Sequence, residues 1–268
     1  LEYIPPELRE GRGEIEKAGT KSLPRLIGLS DIKGDFHVHT NWSDGHDTIE
    51  AMAVAARARG YQYLAITDHS GGRGISHGLS IERLRQQVAE IKALDQKLDG
   101  IRLLTGIEVD IRADGTLDYP DEVLRELDIV VAAVHSAMRQ DSVRITRRIV
   151  RALANPHVNI LAHPTCRLLS GRAPIDVDME EIFRVAARTN TALEINAMPD
   201  RLDLKDTHVL RALEYGVQLV INTDAHDVKA LDVIRYGIGV ARRGWCQSGH
   251  VLNTRLLEEI LPSIEGSG

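Results

Sequence analysis

Histidines and carboxylates recur along this chain just behind short apolar runs: His37 and His39, Asp68 and His69, Glu108, His135, His163, and Asp224 with His226. Imidazole and carboxylate together are the ligand set of zinc, iron and manganese. One histidine at such a position is more often packed or capping than a ligand. Six in equivalent positions need a common cause, whereas His46, His77, His157, His208 and His250 fall elsewhere and are assigned to solvent or the rim. In His37-Val38-His39 the two imidazoles sit two apart, so on a strand they share a side and can bind one cation. Asp224-Ala225-His226 repeats that spacing, provided the chain stays extended there. Glu108 has two oxygens with which to bridge a pair of cations. Asp44, in Ser43-Asp44-Gly45, reads first as a turn residue, and only the neighbouring histidine pair raises it as a ligand.

Convergence of side chains so far apart requires a scaffold that brings several strand ends to one face. From about residue 35 the sequence alternates β-rich apolar runs with stretches of helical period, the pattern of a βα repeat around a parallel sheet. Seven strands are predicted, at 35–39, 61–67, 101–109, 127–134, 158–162, 191–196 and 217–222. Helices are predicted at 48–59, 80–98, 142–153, 178–189, 206–215 and 229–242. Gly60, Gly100 and Gly216 follow helices where a left-handed C-terminal cap is wanted. In a parallel barrel all strand C-termini lie on one face, and the candidate histidines and acids, Asp44 apart, lie at or just after a strand end. Residues 1–33, with Pro5, Pro6, Pro24 and mixed charges, stand outside the alternation and read as an arm or linker before a domain spanning 34–268; Glu265 to Gly268 read as a flexible end.

With 268 residues, 43% of them hydrophobic, the chain can bury one large core. It holds no apolar run long enough for a membrane helix and no signal-peptide pattern at its start, so a cytoplasmic location is expected. Cys166 and Cys246 are too few for a disulfide framework. A formal net charge of −6 excludes a general basic surface for gripping nucleic acid, so such contacts must be local.

Gly34-Asp35-Phe36-His37-Val38-His39-Thr40, Ile66-Thr67-Asp68-His69, Gly106-Ile107-Glu108, Val134-His135-Ser136, Ala162-His163-Pro164 and Asn222-Thr223-Asp224-Ala225-His226 together resemble the polymerase and histidinol phosphatase (PHP) superfamily. Further blocks resemble more narrowly the C-terminal PHP domain of bacterial family X DNA polymerase. They include Tyr3 to Arg9, Gly115 to Pro120, Glu194-Ile195-Asn196 with Pro199 to Asp203, and Ala241 to Trp245. The resemblance implies a distorted seven-stranded (β/α)7 TIM-like barrel with three divalent metal ions, Mn2+ favoured for activity and Zn2+ or Fe as alternatives. It implies one metal at His37, His39, Glu108 and Asp224, a second at Glu108, His135 and His163, and a third at Asp44, His69 and His226. Cys166 departs from the pattern, which has glycine there.

The activity so implied is a metal-dependent phosphoesterase acting on DNA 3′ ends, single-stranded or at a primer terminus. It would be a 3′–5′ exonuclease with 3′-phosphatase or abasic-site cleavage, serving DNA repair. Its partner would be an N-terminal family X polymerase portion, if the chain is a fragment. A monomer with no membrane association is expected. The catalytic residues are expected to be Glu108, Asp224, His37 and Arg201, the last as a phosphate clamp with a bidentate guanidinium. Arg139, Arg167 and Arg172 are weaker candidates for that role. No Ser or Cys lies in a recognisable nucleophile motif, so hydrolysis without a covalent phospho-enzyme is predicted. Competing readings are a small-molecule phosphatase of the histidinol phosphate kind, using the same metals, and a non-catalytic metal-holding module.

Overall fold

In a computed structural model describing residues 1–72 and 76–264, seven strands hydrogen-bond in chain order and all in parallel. They are β1 (Gly34–Asp35), β2 (Tyr63–Ile66), β3 (Arg102–Asp110), β4 (Ile129–Ala133), β5 (Ile160–Leu161), β6 (Ala192–Asn196) and β7 (Leu219–Asn222). The helices are α1 (Glu14–Gly19), α2 (Ile49–Ala58), α3 (Ile81–Asp95), α4 (Asp121–Leu124), α5 (Ser142–Leu153), α6 (Met179–Thr189), α7 (Asp206–Glu214), α8 (Ile234–Arg243) and α9 (Leu257–Ile264). Helix starts follow capping chemistry: Thr48, Ser80, Asp141 and Asp178 each accept a hydrogen bond from an amide in the first turn. Gly60, Gly100 and Gly216 take positive φ, as their cap positions require. No described helix is long and apolar enough to cross a membrane. Cys166 and Cys246 are buried and unpaired.

Side-chain parity divides the core into two layers. Tyr63, Ala65, Leu104, Ile129, Val131, Ala133, Ile160, Ala162, Ala192 and Val220 form one apolar cluster, which Leu252 and Ile260 join from the C-terminal segment. Their strand neighbours, among them Leu64, Ile66, Leu103, Val130, Ala132, Leu161, Leu193 and Ile221, pack in the other cluster with the helices. Alternation therefore sends the first set into the barrel interior and the second outward.

The predicted strands at 35–39 and 158–162 are represented by only two paired residues each. Polar side chains have taken over part of the ladder. Phe36 N donates to Asn222 Oδ1 (3.1 Å), His37 N to Asp35 Oδ1 (3.0 Å) and Val38 N to Thr67 Oγ1 (2.9 Å). The chain bends at Phe36, which points inward, and the bend resets the alternation so that His37 and His39 also face the axis.

Across the seam between β7 and β1, Val38 bridges Ala225, while Thr223 donates through N and Oγ1 to Asp35 Oδ2. At the opposite end, fully buried Asn253 fills the seam: Nδ2 donates to Gly34 O (2.8 Å) and Ile221 O (2.6 Å), and Oδ1 accepts from Ile221 N (3.1 Å).

The arm at 1–33 lies against the barrel. Leu8, Ala18 and Ile27 are fully buried, and Glu7 pairs with Arg242 (2.6 Å), Glu10 with Arg243 (2.7 Å) and Arg12 with Asp206 (2.8 Å). Helices α1, α4 and α9 have no counterpart among the predicted helices; two are only six and four residues long, and the third contains Pro262. The predicted helix at 229–242 begins as a 3-10 turn (Ala230–Val233) before α8. Glu265 to Gly268 lie outside the described residues.

Replacing Asn253 with alanine would strand two carbonyls and an amide in the seam. Each buried polar group left without a partner costs about 1–3 kcal/mol, so a loss of roughly 2–4 kcal/mol is expected in urea unfolding. An unchanged midpoint would show that the seam does not need this amide.

Candidate metal centre

Glu108 is buried at the mouth of the barrel, on the inward parity set by Leu104. Its Oε1 lies 3.0 Å from His163 Nε2, 3.2 Å from His135 Nε2 and 3.5 Å from His37 Nε2. Its Oε2 lies 2.7 Å from His69 Nδ1 and 3.6 Å from His39 Nε2. The same parity accounts for neighbouring positions. His135 continues Ala133 on β4, and His69 continues Ala65 on β2, whereas Asp68 falls on the outer side. Asp68 there accepts from Thr40 N and Oγ1, Ser43 Oγ and Gln87 Nε2, so it ties the loop carrying Asp44 to α3.

Two of the expected ligands reach the site through irregular backbone. His163 follows inward-facing Ala162 and would point outward on an extended strand, but its φ of +28° turns it toward Glu108. Asp224 has φ +54°, so the Asp224-Ala225-His226 segment is not the extended repeat of the first histidine pair. His226 instead bonds Asp224 O through Nδ1 (2.8 Å), stacks on His39 with ring centroids 4.2 Å apart, and presents Nε2 3.4 Å from Asp44 Oδ1. Non-glycine residues in this region store strain, which clusters at functional sites. Cys166, where glycine is the expected residue, also takes a left-handed φ of +54°.

Among the described residues, three groups of donor atoms result. His37, His39 and Asp224 form one, His69, Glu108 and His135 a second, and His39, Asp44, His69 and His226 a third. The residues expected to bind metal are thus brought together, though differently apportioned. His39 and His69 each serve two groups, and His163, outside these groups, turns Nε2 to the same Glu108 oxygen that His135 approaches. Asp44 is both turn and site residue: Gly45 N closes a turn onto Thr40 O, while the carboxylate approaches His69 at 3.4 Å.

The donors fit divalent cations. His37 Nε2 and both nitrogens of His39 are buried without a hydrogen-bond partner. Ligands about 2.1 Å from an ion lie roughly 3.0–3.4 Å from one another. His39 Nε2 is 3.1 Å from Asp224 Oδ1, and His135 Nε2 is 3.2 Å from Glu108 Oε1.

Charge is already arranged around these positions. Burial opposes ionisation of Glu108, yet His135, His69 and His37 hold its carboxyl well below the ordinary range. Against the same burial, Glu108 and Asp44 raise His69 to about 10, and Glu194, Asp224 and Glu108 raise His37. Burial and the neighbouring His226 and His69 push His39 down to about 3.

Several residues absent from the expected site hold it in shape. Glu194 Oε1 is 2.7 Å from His37 Nδ1, and its Oε2 accepts from His163 N (2.7 Å). Asp110 Oδ1 lies 2.7 Å from His135 Nδ1. Such outer carboxylates fix the ring orientation of a metal-binding histidine. Their signal was parity: Asp110 is two residues beyond Glu108, and Glu194 and Asn196 occupy the inward positions of an otherwise apolar β6. Arg148 on α5 is buried and donates to Ser136 O and Ile111 O, tying the segments after His135 and Asp110 together.

Arg201 reaches the rim, with Nε 3.5 Å from Asp224 Oδ2 and its side chain 21% exposed. Arg167 and Arg172 are turned partly to backbone carbonyls, of Arg201 and Cys166 respectively. His46 and His77 are exposed; His157, His208 and His250 are half-buried away from the centre.

The PHP domain model matches residues 35–198. The chain is 48% identical over 260 residues to the DNA polymerase/3′–5′ exonuclease PolX of Bacillus subtilis (strain 168), covering 97% of this chain and 45% of that protein, so it spans less than half of that relative. It is 31% identical over 235 residues to a protein of Thermoanaerobacter sp. (strain X514) named as a probable phosphatase, covering 82% and 89% of the two chains. Its fold resembles that of histidinol phosphate phosphatase from Lactococcus lactis, with a TM-score of 0.55 at 18% identity over 78% of this chain and 93% of that one. A barrel that gathers imidazoles and acids around Glu108, with a family model spanning most of its strands, belongs to the PHP domain family of metal-dependent phosphoesterases.

Proposed function

We propose that this chain hydrolyses phosphodiesters at DNA 3′ ends, as a 3′–5′ exonuclease acting beside a family X polymerase in repair. Removal of 3′-phosphates and cleavage at abasic sites are within the chemistry of the same centre. The observation that carries this reading is 48% identity, across 97% of the chain, to a relative whose name joins a polymerase to a 3′–5′ exonuclease. In this reading residues 1–33 are the connection from the polymerase portion, and 34–268 the phosphoesterase domain.

His37, His39, Glu108 and Asp224 would hold one divalent cation. Glu108 with His135 and His163 would hold a second, and Asp44 with His69 and His226 a third. Mn2+ is favoured for activity, with Zn2+ or Fe as alternatives. Bound there, such ions polarise phosphoryl oxygens and bring the pKa of water toward neutrality. The protein's own part is positional. Glu194 and Asp110 fix the rings of His37 and His135 so that each turns Nε2 toward Glu108. Arg201, charged and at the open edge of Asp224, grips the non-bridging oxygens of the incoming phosphate.

With Mn2+, 3′-labelled single-stranded DNA should yield mononucleotides, and a His37→Ala variant should yield none. Turnover of histidinol phosphate with intact DNA would instead favour the small-molecule phosphatase reading, which the Thermoanaerobacter relative supports. Arg201→Ala should lower kcat/KM on DNA ends by about 10- to 100-fold, roughly 1.4–2.8 kcal/mol, with bound metal unchanged; an unaltered kcat/KM would retire the clamp. The raised His37 and His69 carry protons at neutral pH when no metal is present, and a cation taking their nitrogens must displace them. Metal loading at pH 7 should therefore release at least these two protons, with a further contribution from His226, which against its burial Asp44 and Asp224 also raise, and should weaken as pH falls. Calorimetry in buffers of different ionisation enthalpy measures the release, and a buffer-independent heat would contradict it.

A further inference from the structure

Beyond Arg201, the chain after β5 and the start of α7 enclose a cavity of about 480 Å3. Its ionisable lining is all nitrogen: Arg167, Arg172, Lys205 and His208, with no aspartate or glutamate among the lining residues. None of the three cations makes an ion pair with a carboxylate among the described residues, in a chain whose net charge is −6. Arg167 spends Nε and Nη2 on the carbonyls of Arg201 and Leu202, and Arg172 spends Nε on Cys166 O. Among the described residues the remaining guanidinium nitrogens have no such anchor. Burial, with Lys205 and Arg167 nearby, pushes His208 down to about 4, which leaves its ring neutral, and its buried Nδ1 has no partner.

The cavity wall is preformed. Leu168 and Arg172 exchange backbone hydrogen bonds at 2.9 Å in both directions, and Leu169 N is held by Asp200 O. This anchors the wall to the segment that carries Arg201. Leu168 and Leu169 add an apolar surface, and Leu169 is 56% exposed. Clustered cations beside an apolar wall suit a group that is anionic at one end and uncharged at the other, as a nucleotide is.

We propose that this cavity is a second, non-scissile subsite that binds one nucleotide of a single DNA strand whose 3′ end lies at the metal centre. It rests on the DNA-end reading and gives it a length preference: a strand long enough to fill both places is held better than one that fills only the centre. Recognition is by phosphate charge and apolar contact, so it is independent of sequence.

The test compares oligonucleotides of two to eight residues as substrates of the metal-loaded protein. In the parent, kcat/KM should rise about tenfold from the dinucleotide to the octanucleotide and fall steeply with salt. In Lys205→Glu, and more so in Lys205→Glu/Arg172→Glu, that ratio should approach one through loss of the KM advantage. Lys97→Glu, an exposed lysine after α3 with the same charge change, should keep it. The single variant alters an exposed side chain, and its thermal midpoint reports any fold defect. A length preference that survives both variants, or a parent that shows none while cutting DNA, overturns the subsite and leaves the exonuclease reading intact. A parent that hydrolyses a small phosphomonoester but no oligonucleotide overturns that reading, and the subsite with it.

Discussion

A single buried carboxylate lies within 3.6 Å of five imidazoles, and the rest of the centre is arranged around that crowding. A charge taken out of water must be compensated by partners. Glu108 has that compensation only because β3 is the longest strand of the sheet. Its first half pairs with β2 and its second half with β4, so Glu108 arrives at the axis between His69 and His135. A bridge from His69 to Glu108 carries the β2 pairing three residues farther in the same register, into the site itself. The backbone that builds the barrel and the backbone that holds the carboxylate are the same hydrogen bonds.

Much of this was legible because two properties of a parallel barrel are simple. Strand ends share a face, and side chains alternate. Those rules bring His37, His39, His69, Glu108, His135, His163, Asp224 and His226 together from segments almost two hundred residues apart, and they give the seven-stranded order. Parity applied more strictly also separates Asp68 from His69 and singles out Asp110 and Glu194. What the rules could not supply is the backbone where it breaks them. The inward turn of His163 and the bend at Phe36 go with amide hydrogen bonds to Glu194 and Asn222, the carboxylate of left-handed Asp224 accepts from Asn196, and no local pattern encodes partners so distant in sequence. The arm escaped for a similar reason. Leu8, Ala18 and Ile27 have neither a strand nor a long helix period, and they are buried through ion pairs with α7 and α8 that are distant in sequence.

Net charge and local charge also part company here. A chain of net −6 sets Asp44, Glu108 and Asp224 against imidazoles at the centre, and lines the cavity beside it with Arg167, Arg172 and Lys205, which have no ion pair among the described residues. An anionic substrate meets a field set by what lies within a Debye length of its path, about 8–10 Å at ordinary ionic strength, rather than by the sum over the molecule. Acidic composition is therefore compatible with a substrate that is itself a polyanion.

Two sets of buried acids contrast, and the contrast shows what each is for. Glu108 and Asp224 face imidazoles, which hold them ionised in spite of burial. Asp35, Asp68 and Asp203 are equally buried but face hydroxyls and amides, and burial prevails: Asp35 is raised to about 7 and Asp203 to about 6. The first kind supplies charge at the place where cations would sit. The second supplies direction: Asp35 joins β1 to Thr223 across the seam, Asp68 joins the Asp44 loop to α3, and Asp203 joins Thr165, two residues beyond His163, to the segment after β6. Substituting an acid of the first kind removes a donor from the centre, whereas substituting one of the second releases the backbone that aims the donors. The two lesions should differ even where both abolish activity, because only the second frees loops whose amides are now protected by a carboxylate.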